Sequence, residues 1–169
     1  LWRSVAIDVT RGFPNGHLEI CFAQTTIEVL NTWVNFARAY YLSCFLSPQT
    51  TNGNKIILSK TSFTTINDAI GIAVLRWKKK AKPMPNGMWK SIDEPKWRKP
   101  DTLLTLTQQV GASNLSDIQA AFSLGFTVFD NLPHFRNFYA HRNMSTEKEV
   151  QRIALQYGIS PHLRPSAIL

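Results

Sequence analysis

The sequence predicts an all-α protein, a bundle of four to five helices in a single domain covering residues 1–169. Apolar residues recur at steps of three and four over long stretches. Capping and stop residues divide those stretches, and the alternating pattern of a β-strand is almost absent. With 169 residues, 44% of them hydrophobic, the chain is long enough to bury one core.

The N-terminal half predicts two helices. The first is the longest and covers about residues 18–46, without Gly or Pro inside it. Residues 55–59 form a short apolar run that fits either a strand or a tethered loop. A second helix is predicted over about residues 63–80, with Thr61 or Ser62 as its N-cap.

The C-terminal half predicts three more helical segments. Asp101 caps a short third helix that ends before Gly111. Ser116 and the residue three positions later form a capping box for a fourth helix to about Asn131. Gly125 inside that helix indicates close helix packing. A final helix is predicted over about residues 145–157.

Positive charge is concentrated in one part of the chain. The net charge is +8, and residues 76–99 alone hold nine Lys or Arg against two acidic residues, a net +7. Much of this segment is a long loop, about residues 81–100, that holds four Pro and two Trp and is predicted to join helices 2 and 3. Such an asymmetry favours a polyanionic partner, either nucleic acid or an acidic protein, while a solvated lysine-rich loop is the plainer alternative.

The residues of this basic segment that we predict to contact RNA are Lys78, Lys79, Lys80, Lys82, Lys96, Arg98, Lys99, Trp89 and Trp97. Aromatic rings that alternate with cations suit single-stranded RNA, because each base has a face that stacks. Tryptophans of this kind also anchor a long loop to the core, and the sequence leaves both interpretations open.

Several classes of protein are disfavoured by the composition. No stretch of 18 apolar residues lacks charge or amide, so no membrane span or membrane partner is predicted. Cys21 and Cys44 show no CxxC or CxxH spacing, so neither a metal site nor a cofactor is predicted. We expect both to be reduced thiols in a cytoplasmic protein. Because the chain does not begin with Met, we expect a fragment or a trimmed chain.

Eleven residues near the C-terminal end hold a dense group of reactive side chains. The segment Pro133-His134-Phe135-Arg136-Asn137-Phe138-Tyr139-Ala140-His141-Arg142-Asn143 contains two His, two Arg, two Asn and a Tyr. Histidine transfers protons near neutral pH, and arginine makes paired contacts to phosphate. We predict this eleven-residue segment to lie between an apolar helix and the start of a new helix.

Within this segment, Arg136-Asn137-Phe138-Tyr139-Ala140-His141 resembles the Arg-polar…His signature of the HEPN superfamily. Residues 33–41 are similar to part of the first long helix of several toxin-type HEPN branches. The resemblance implies a HEPN-type bundle and a metal-independent endoribonuclease, a toxin or effector of a prokaryotic defence or toxin–antitoxin system. Its implied partners are an RNA substrate, a second copy of the chain and an antitoxin or inhibitor protein.

The resemblance also implies roles for single residues. His141 is the catalytic acid or base, Arg136 stabilises charge on the phosphoryl oxygens, and Asn137 orients His141 or the phosphate. Tyr139 and Arg142 are weaker, supporting candidates. On a regular helix, five residues turn through about 500°, which places Arg136 and His141 ~140° apart. They meet at one phosphate only if the helix bends or ends between them, or if a second subunit completes the site.

Two alternatives remain at the level of sequence. A catalytically inactive HEPN module that binds nucleic acid, nucleotide or a partner protein would show the same pattern. An unrelated helical protein would show it by chance, with Arg136 and His141 in a cap or an ion-pair network. His134 is expected to be a cap or a surface residue, and Arg38 either reaches solvent or makes a second phosphate contact.

Overall fold

The structure is a computed structural model that describes residues 15–63, 65–123 and 127–159 of the chain. Its described part is all-α, with no strand among these residues and six α-helices. They are α1 (Asn15–Ser43), α2 (Ile66–Trp77), α3 (Pro100–Val110), α4 (Leu115–Phe122), α5 (Val128–His141) and α6 (Met144–Gln156). There are also two short 3₁₀ helices among these residues. Cys44–Leu46 follows α1, and Ser91–Asp93 lies between α2 and α3. The all-α class is therefore confirmed.

The apolar run at residues 55–59 is a tethered loop and forms no strand. Its Leu58 pairs with Ala112 in an isolated bridge, and Lys55 pairs with Gln49 in another. The Ser59 N–H donates to the Gly111 carbonyl at 3.0 Å. The Leu58 bridge and this hydrogen bond hold the run against the residues after α3, while the Lys55 bridge ties it to the residues after the first 3₁₀ helix.

Helix α2 begins later than predicted. Its N-cap is Thr65, whose hydroxyl accepts from the Asp68 N–H at 3.1 Å, so Thr61 and Ser62 are not its caps. The Thr61 hydroxyl accepts from the Phe63 N–H at 3.1 Å instead and forms a local turn. The prediction was wrong here because several adjacent Thr and Ser residues offer the same capping chemistry.

Helix α3 begins with Pro100, and Asp101 lies inside its first turn, so the prediction of Asp101 as the cap was wrong. Proline suits this position because its missing N–H would have no intrahelical partner there. The helix ends at Val110, and Gly111 after it has a φ of 67°, the left-handed conformation typical of a glycine that follows a helix.

The predicted fourth helix is two helices. Helix α4 ends at Phe122, where the Ser123 N–H donates to the Ala120 carbonyl at 3.2 Å and tightens the last turn. Ser116 lies inside α4, and the N-cap Asn114 makes no side-chain cap, so no capping box forms. The prediction for Gly125 lies outside the described residues.

The final helix, α6, begins with a capping box that the sequence analysis did not identify. Asn143 accepts from the Thr146 N–H at 3.0 Å, and the Thr146 hydroxyl receives the Asn143 N–H at 3.3 Å. The helix ends before Tyr157 and Gly158, close to the predicted end. This box fixes the short connection from α5, whose last residue is His141.

The described residues form two compact units. In the first, the terminal unit, residues 15–32 and 127–159 are described. Phe22 and Ala23 of α1 pack there against a core from α5 and α6. That core consists of Phe135, Phe138, Tyr139, Val150, Ile153 and Ala154.

In the second, the central unit, residues 33–63 and 65–123 are described. Its core is built on Tyr41, whose hydroxyl donates to the Ala69 carbonyl at 3.0 Å and ties α1 to α2. Other buried members are Val74, Trp97, Leu103, Leu106 and Val110.

Candidate functional site

The Arg136–His141 motif lies in the second half of α5, and not between two helices as predicted. The helix contains Pro133 and continues to His141. It stops there because Arg142 has a φ of 42° and donates its N–H to the Phe138 carbonyl at 2.7 Å. The motif therefore occupies the exposed end of a helix whose other side packs in the core of the terminal unit.

Helix geometry divides the motif into two sides. Phe138 and Tyr139 are buried in the core, whereas Arg136 and Asn137 are half-buried and His141 is exposed. Asn137 and His141 are four residues apart, so they share one side of the helix. The helix is continuous between Arg136 and His141, so it does not itself turn these two residues to one side.

The Arg136 side chain reaches towards Asn137. Its Nη1 donates to the Asn137 Oδ1 over 3.4 Å, a long hydrogen bond. Because Asn137 is on the His141 side of α5, this contact brings the guanidinium towards the side that carries the histidine. Arg136 therefore contacts a residue that shares a side with His141, while Arg136 and His141 themselves project from the helix in different directions.

The Glu149 carboxylate of α6 contacts two basic side chains, one on its own helix and one on α5. Glu149 of α6 receives the Arg152 Nε at 3.2 Å and lies 3.9 Å from the His134 Nδ1. His134 is inside α5, so it is a partly exposed helix residue and not a cap. Arg142, in the left-handed conformation after the helix, is exposed.

The cations of the basic segment, residues 76–99 of the central unit, differ in their surroundings. Lys79, Lys80 and Lys82 are exposed. Lys78 instead donates to the Ile92 carbonyl and to the Asp93 carboxylate, both at 2.9 Å, so part of its charge is neutralised locally. Near the other end, Lys96 and Lys99 are exposed and Arg98 is half-exposed.

The two tryptophans predicted to stack on RNA anchor the segment to helices. Trp97 is only 5% exposed, and its ring centre lies 5.5 Å from that of Tyr41. Trp89 is half-buried, with its indole against Gly71 of α2. Burial leaves the Trp97 ring no free face for a base, so the anchoring interpretation describes this residue.

An ion pair between α1 and the segment gives Arg38 its role in the fold. Its Nε and Nη2 donate to the two carboxylate oxygens of Glu94, at 2.7 and 2.9 Å. The hydrogen bond to Glu94 is the main cause that raises the pKa of Arg38. Arg38 is therefore committed to Glu94, and neither of the two interpretations predicted for it anticipated this partner.

A groove on the central unit contains aromatic residues that the sequence analysis did not select. Phe36 and Tyr40 of α1 line a cavity of about 240 Å³ together with Leu103 of α3 and the α4 residues Ile118 and Phe122. The Tyr40 hydroxyl contacts the Asn114 amide, and burial raises the pKa of Tyr40 to about 12. Trp33, Phe36 and Tyr40 are separated by three and then four residues, so they form a strip of aromatic side chains along α1. This spacing was the signal that the sequence offered.

Near the same end of α1, burial also raises the pKa of the Cys44 thiol to about 11 and raises that of Tyr41. Both groups stay protonated at neutral pH and belong to the core of the central unit. Among the described residues, no group of three or more His, Cys, Asp or Glu is placed to hold a metal ion.

None of the helices in the described ranges has both the length and the apolar character that a membrane span requires. No protein-family profile, curated protein or solved structure matches the chain.

Proposed function

We propose that the chain is a metal-independent endoribonuclease of HEPN type, with its cleavage site at the C-terminal end of α5. The observation that carries the proposal is the side shared by Asn137 and His141, towards which the Arg136 guanidinium reaches. An exposed histidine beside an arginine is a suitable pair for phosphodiester chemistry, because one transfers protons and the other stabilises anionic oxygen.

The proposed reaction uses the ribose 2′-hydroxyl as the nucleophile. A histidine takes the 2′-hydroxyl proton, the oxygen attacks the adjacent phosphorus, and the bond to the 5′ oxygen breaks. A second histidine protonates the departing oxygen, which leaves a 2′,3′-cyclic phosphate and a 5′-hydroxyl. DNA has no 2′-hydroxyl and is therefore not a substrate.

Two copies of His141 supply the base and the acid if the protein acts as a homodimer. The ~140° between Arg136 and His141 on one helix also favours a site completed by a second subunit. Asn137, which holds the Arg136 guanidinium, is then a positioning residue. The exposed cations of the basic segment attract the RNA backbone.

A toxin or effector role in a prokaryotic defence or toxin–antitoxin system is the biological setting proposed for this activity. It rests on the resemblance of the Arg136–His141 motif alone. An antitoxin or inhibitor protein is the partner that such a role requires.

The test compares His141→Ala with His134→Ala on a structured RNA in the presence of EDTA. Both variants remove a partly or fully exposed histidine from α5, but only the first belongs to the motif. We expect His141→Ala to lower the cleavage rate at least ~10²-fold and His134→Ala to leave it near that of the unmodified chain. Equal rates for the two variants would contradict the proposal.

The role of Arg136 is tested with a matched control. The cleavage rate of Arg136→Ala is compared with that of Arg152→Ala, which removes an exposed arginine from the neighbouring α6. Circular dichroism verifies that each variant folds. RNA binding without cleavage by the unmodified chain would favour the catalytically inactive module instead.

A further inference from the structure

We infer that the groove between α1, α3 and α4 holds an arginine side chain of another protein, with its guanidinium stacked on Phe36 and paired with Asp117. The inference goes beyond the proposed function, because neither the Arg136–His141 motif nor the basic segment takes part in it. Asp117 is the one charged residue among the described residues that line the groove. Within the described ranges, no lysine, arginine or histidine forms an ion pair with its carboxylate.

The charge of Asp117 acts inside the groove. Burial is the main cause that raises the pKa of Tyr40 to about 12, and the negative charge of Asp117 adds to it, because a nearby anion opposes the formation of a phenolate. Asp117 lies in the first turn of α4 and is exposed, so its carboxylate is open to a ligand from solvent. The groove is therefore an acidic site on a chain whose net charge is +8.

The Phe36 ring offers a second contact for a cation. It is 51% exposed, and its centre lies 5.8 Å from that of Trp33 and 6.0 Å from that of Tyr40. These neighbours hold the ring before a ligand arrives, which lowers the entropy lost on binding. The face of an exposed aromatic ring attracts a cation, and a guanidinium stacks on it because it is planar.

The size and the walls of the groove favour an arginine side chain over other cations. Its cavity of about 240 Å³ is below the roughly 300 Å³ at which pockets for drug-sized ligands begin, so it suits a single long side chain. Leu103, Ile118 and Phe122 line it with apolar surface, which matches the methylene stem of arginine. The guanidinium can then pair with a carboxylate through two parallel hydrogen bonds. Arginine is enriched at the centres of protein interfaces, which favours a protein as its source.

The experiment is an NMR titration of the full, isotope-labelled chain with the peptide acetyl-Gly-Arg-Gly-amide, followed through the backbone amide signals of Phe36 and Ile118. The comparison peptide carries citrulline in place of arginine, which keeps the planar shape and removes the charge. We expect the arginine peptide to bind at least about 10-fold more tightly, because hydrogen bonds between charged groups are stronger than neutral ones. Equal binding of the two peptides would overturn the inference.

Two variants test the two contacts separately. Asp117→Asn keeps the size of the side chain and removes its charge, so it should weaken binding of the arginine peptide about 10-fold. The matched control is Asp101→Asn, which removes an exposed carboxylate from the first turn of α3, outside the groove, and should bind as tightly as the unmodified chain. Phe36→Leu, which is apolar but has no ring, should weaken binding about 2- to 30-fold. Full binding by either groove variant would overturn the inference.

Three other occupants of the groove would give different results, and each result would overturn the inference. Equally tight binding of a peptide with norleucine in place of arginine would indicate a purely apolar contact. Tighter binding of propylguanidinium than of the arginine peptide would indicate a free small cation. Signals of Phe36 and Ile118 that shift on dilution of the unmodified chain, but not of Asp117→Asn, would indicate a second copy of the chain. No RNA is present in these titrations, so their outcome is independent of the proposed function.

Discussion

The Glu94 carboxylate accepts three hydrogen bonds, and these hold the basic segment in place. Besides the two nitrogens of Arg38, the Trp97 Nε1 donates to its carboxylate at 3.3 Å. Its side chain is only 10% exposed, against 41% for Arg38. A carboxylate with so little access to water loses much of its stabilisation when a charged donor is removed.

Arg38→Ala should therefore lower the free energy of unfolding by about 1–2 kcal/mol, the lower part of the range for charged hydrogen bonds because Arg38 is partly exposed. The control is Arg152→Ala, whose pair with Glu149 joins two half-exposed side chains on one helix. We expect that control to cost less than about 0.5 kcal/mol. Urea denaturation measures both, and equal losses would show that the Arg38 pair is an ordinary surface contact.

At this scale the sequence identified residue types better than their partners. It selected Arg38 as a notable cation, but the acidic partner is 56 positions away, and no local pattern connects them. Trp97 was selected as a ring that could stack on RNA, but it is buried against Tyr41. Its burial could not be predicted, because Tyr41 lies on a different element, far away in the sequence. Spacing reveals neighbours along a helix and not those that the tertiary fold brings together.

At the scale of elements, existence was easier to predict than boundaries. The long α1 and the all-α class follow from periodicity that persists over many turns. The break between α4 and α5 was missed because the apolar pattern continues past Phe122. Pro133 was expected to lie beyond the helix, yet it is inside α5, since packing of the core side stabilises the helix despite the missing N–H.

The basic segment contacts helix α2 at Gly71. We expect the effect of Gly71→Ala on stability to change sign when Trp89 is also replaced. A Cβ at Gly71 would lie 2.6 Å from the Trp89 Nε1. We expect Gly71→Ala to destabilise the chain by up to about 2 kcal/mol, since overpacking outweighs the gain in helix propensity. In a Trp89→Ala background the same change should stabilise by up to about 1 kcal/mol.

Denaturation of the four proteins of this double-mutant cycle measures the effect. The same sign in both backgrounds would show that Trp89 does not pack on α2. Because Trp89 is in the segment and Gly71 in the helix, the cycle reports directly on how the segment is anchored.

At the scale of the whole molecule, the distribution of charge predicts how RNA binding depends on salt. Lys79→Gln combined with Lys80→Gln should flatten the slope of log K against log salt by up to about 1.4, or 0.7 per phosphate contact on a single strand. Lys78→Gln should have a smaller effect, because Lys78 already pairs with Asp93. Lys148→Gln, an exposed lysine of α6, is the control and should leave the slope unchanged.

Turnover at saturating RNA should stay the same in these lysine variants, because binding shared by ground and transition states affects KM and not kcat. An unchanged salt slope in Lys79→Gln/Lys80→Gln would assign the segment to another partner, such as an acidic inhibitor protein.

Assembly gives a second prediction at this scale. If each site takes His141 from both subunits, an excess of His141→Ala protein mixed with the unmodified chain should lower its activity, since each mixed dimer holds one His141 and lacks either the base or the acid. Cleavage rates of the mixture and of each protein alone measure this. A monomeric mass from light scattering together with full specific activity would show that one subunit suffices.

We expect the C-terminal end of α5 to be a site that cleaves RNA by attack of the RNA's own 2′-hydroxyl. The most direct measurement incubates the purified chain with RNA and, separately, with DNA of the same sequence in EDTA, and then determines the chemistry of the new ends. We expect cleavage of RNA alone, with 2′,3′-cyclic phosphate and 5′-hydroxyl ends that disappear in His141→Ala. Ends with 3′-hydroxyl and 5′-phosphate, cleavage of the DNA, or activity that returns only with magnesium would contradict it.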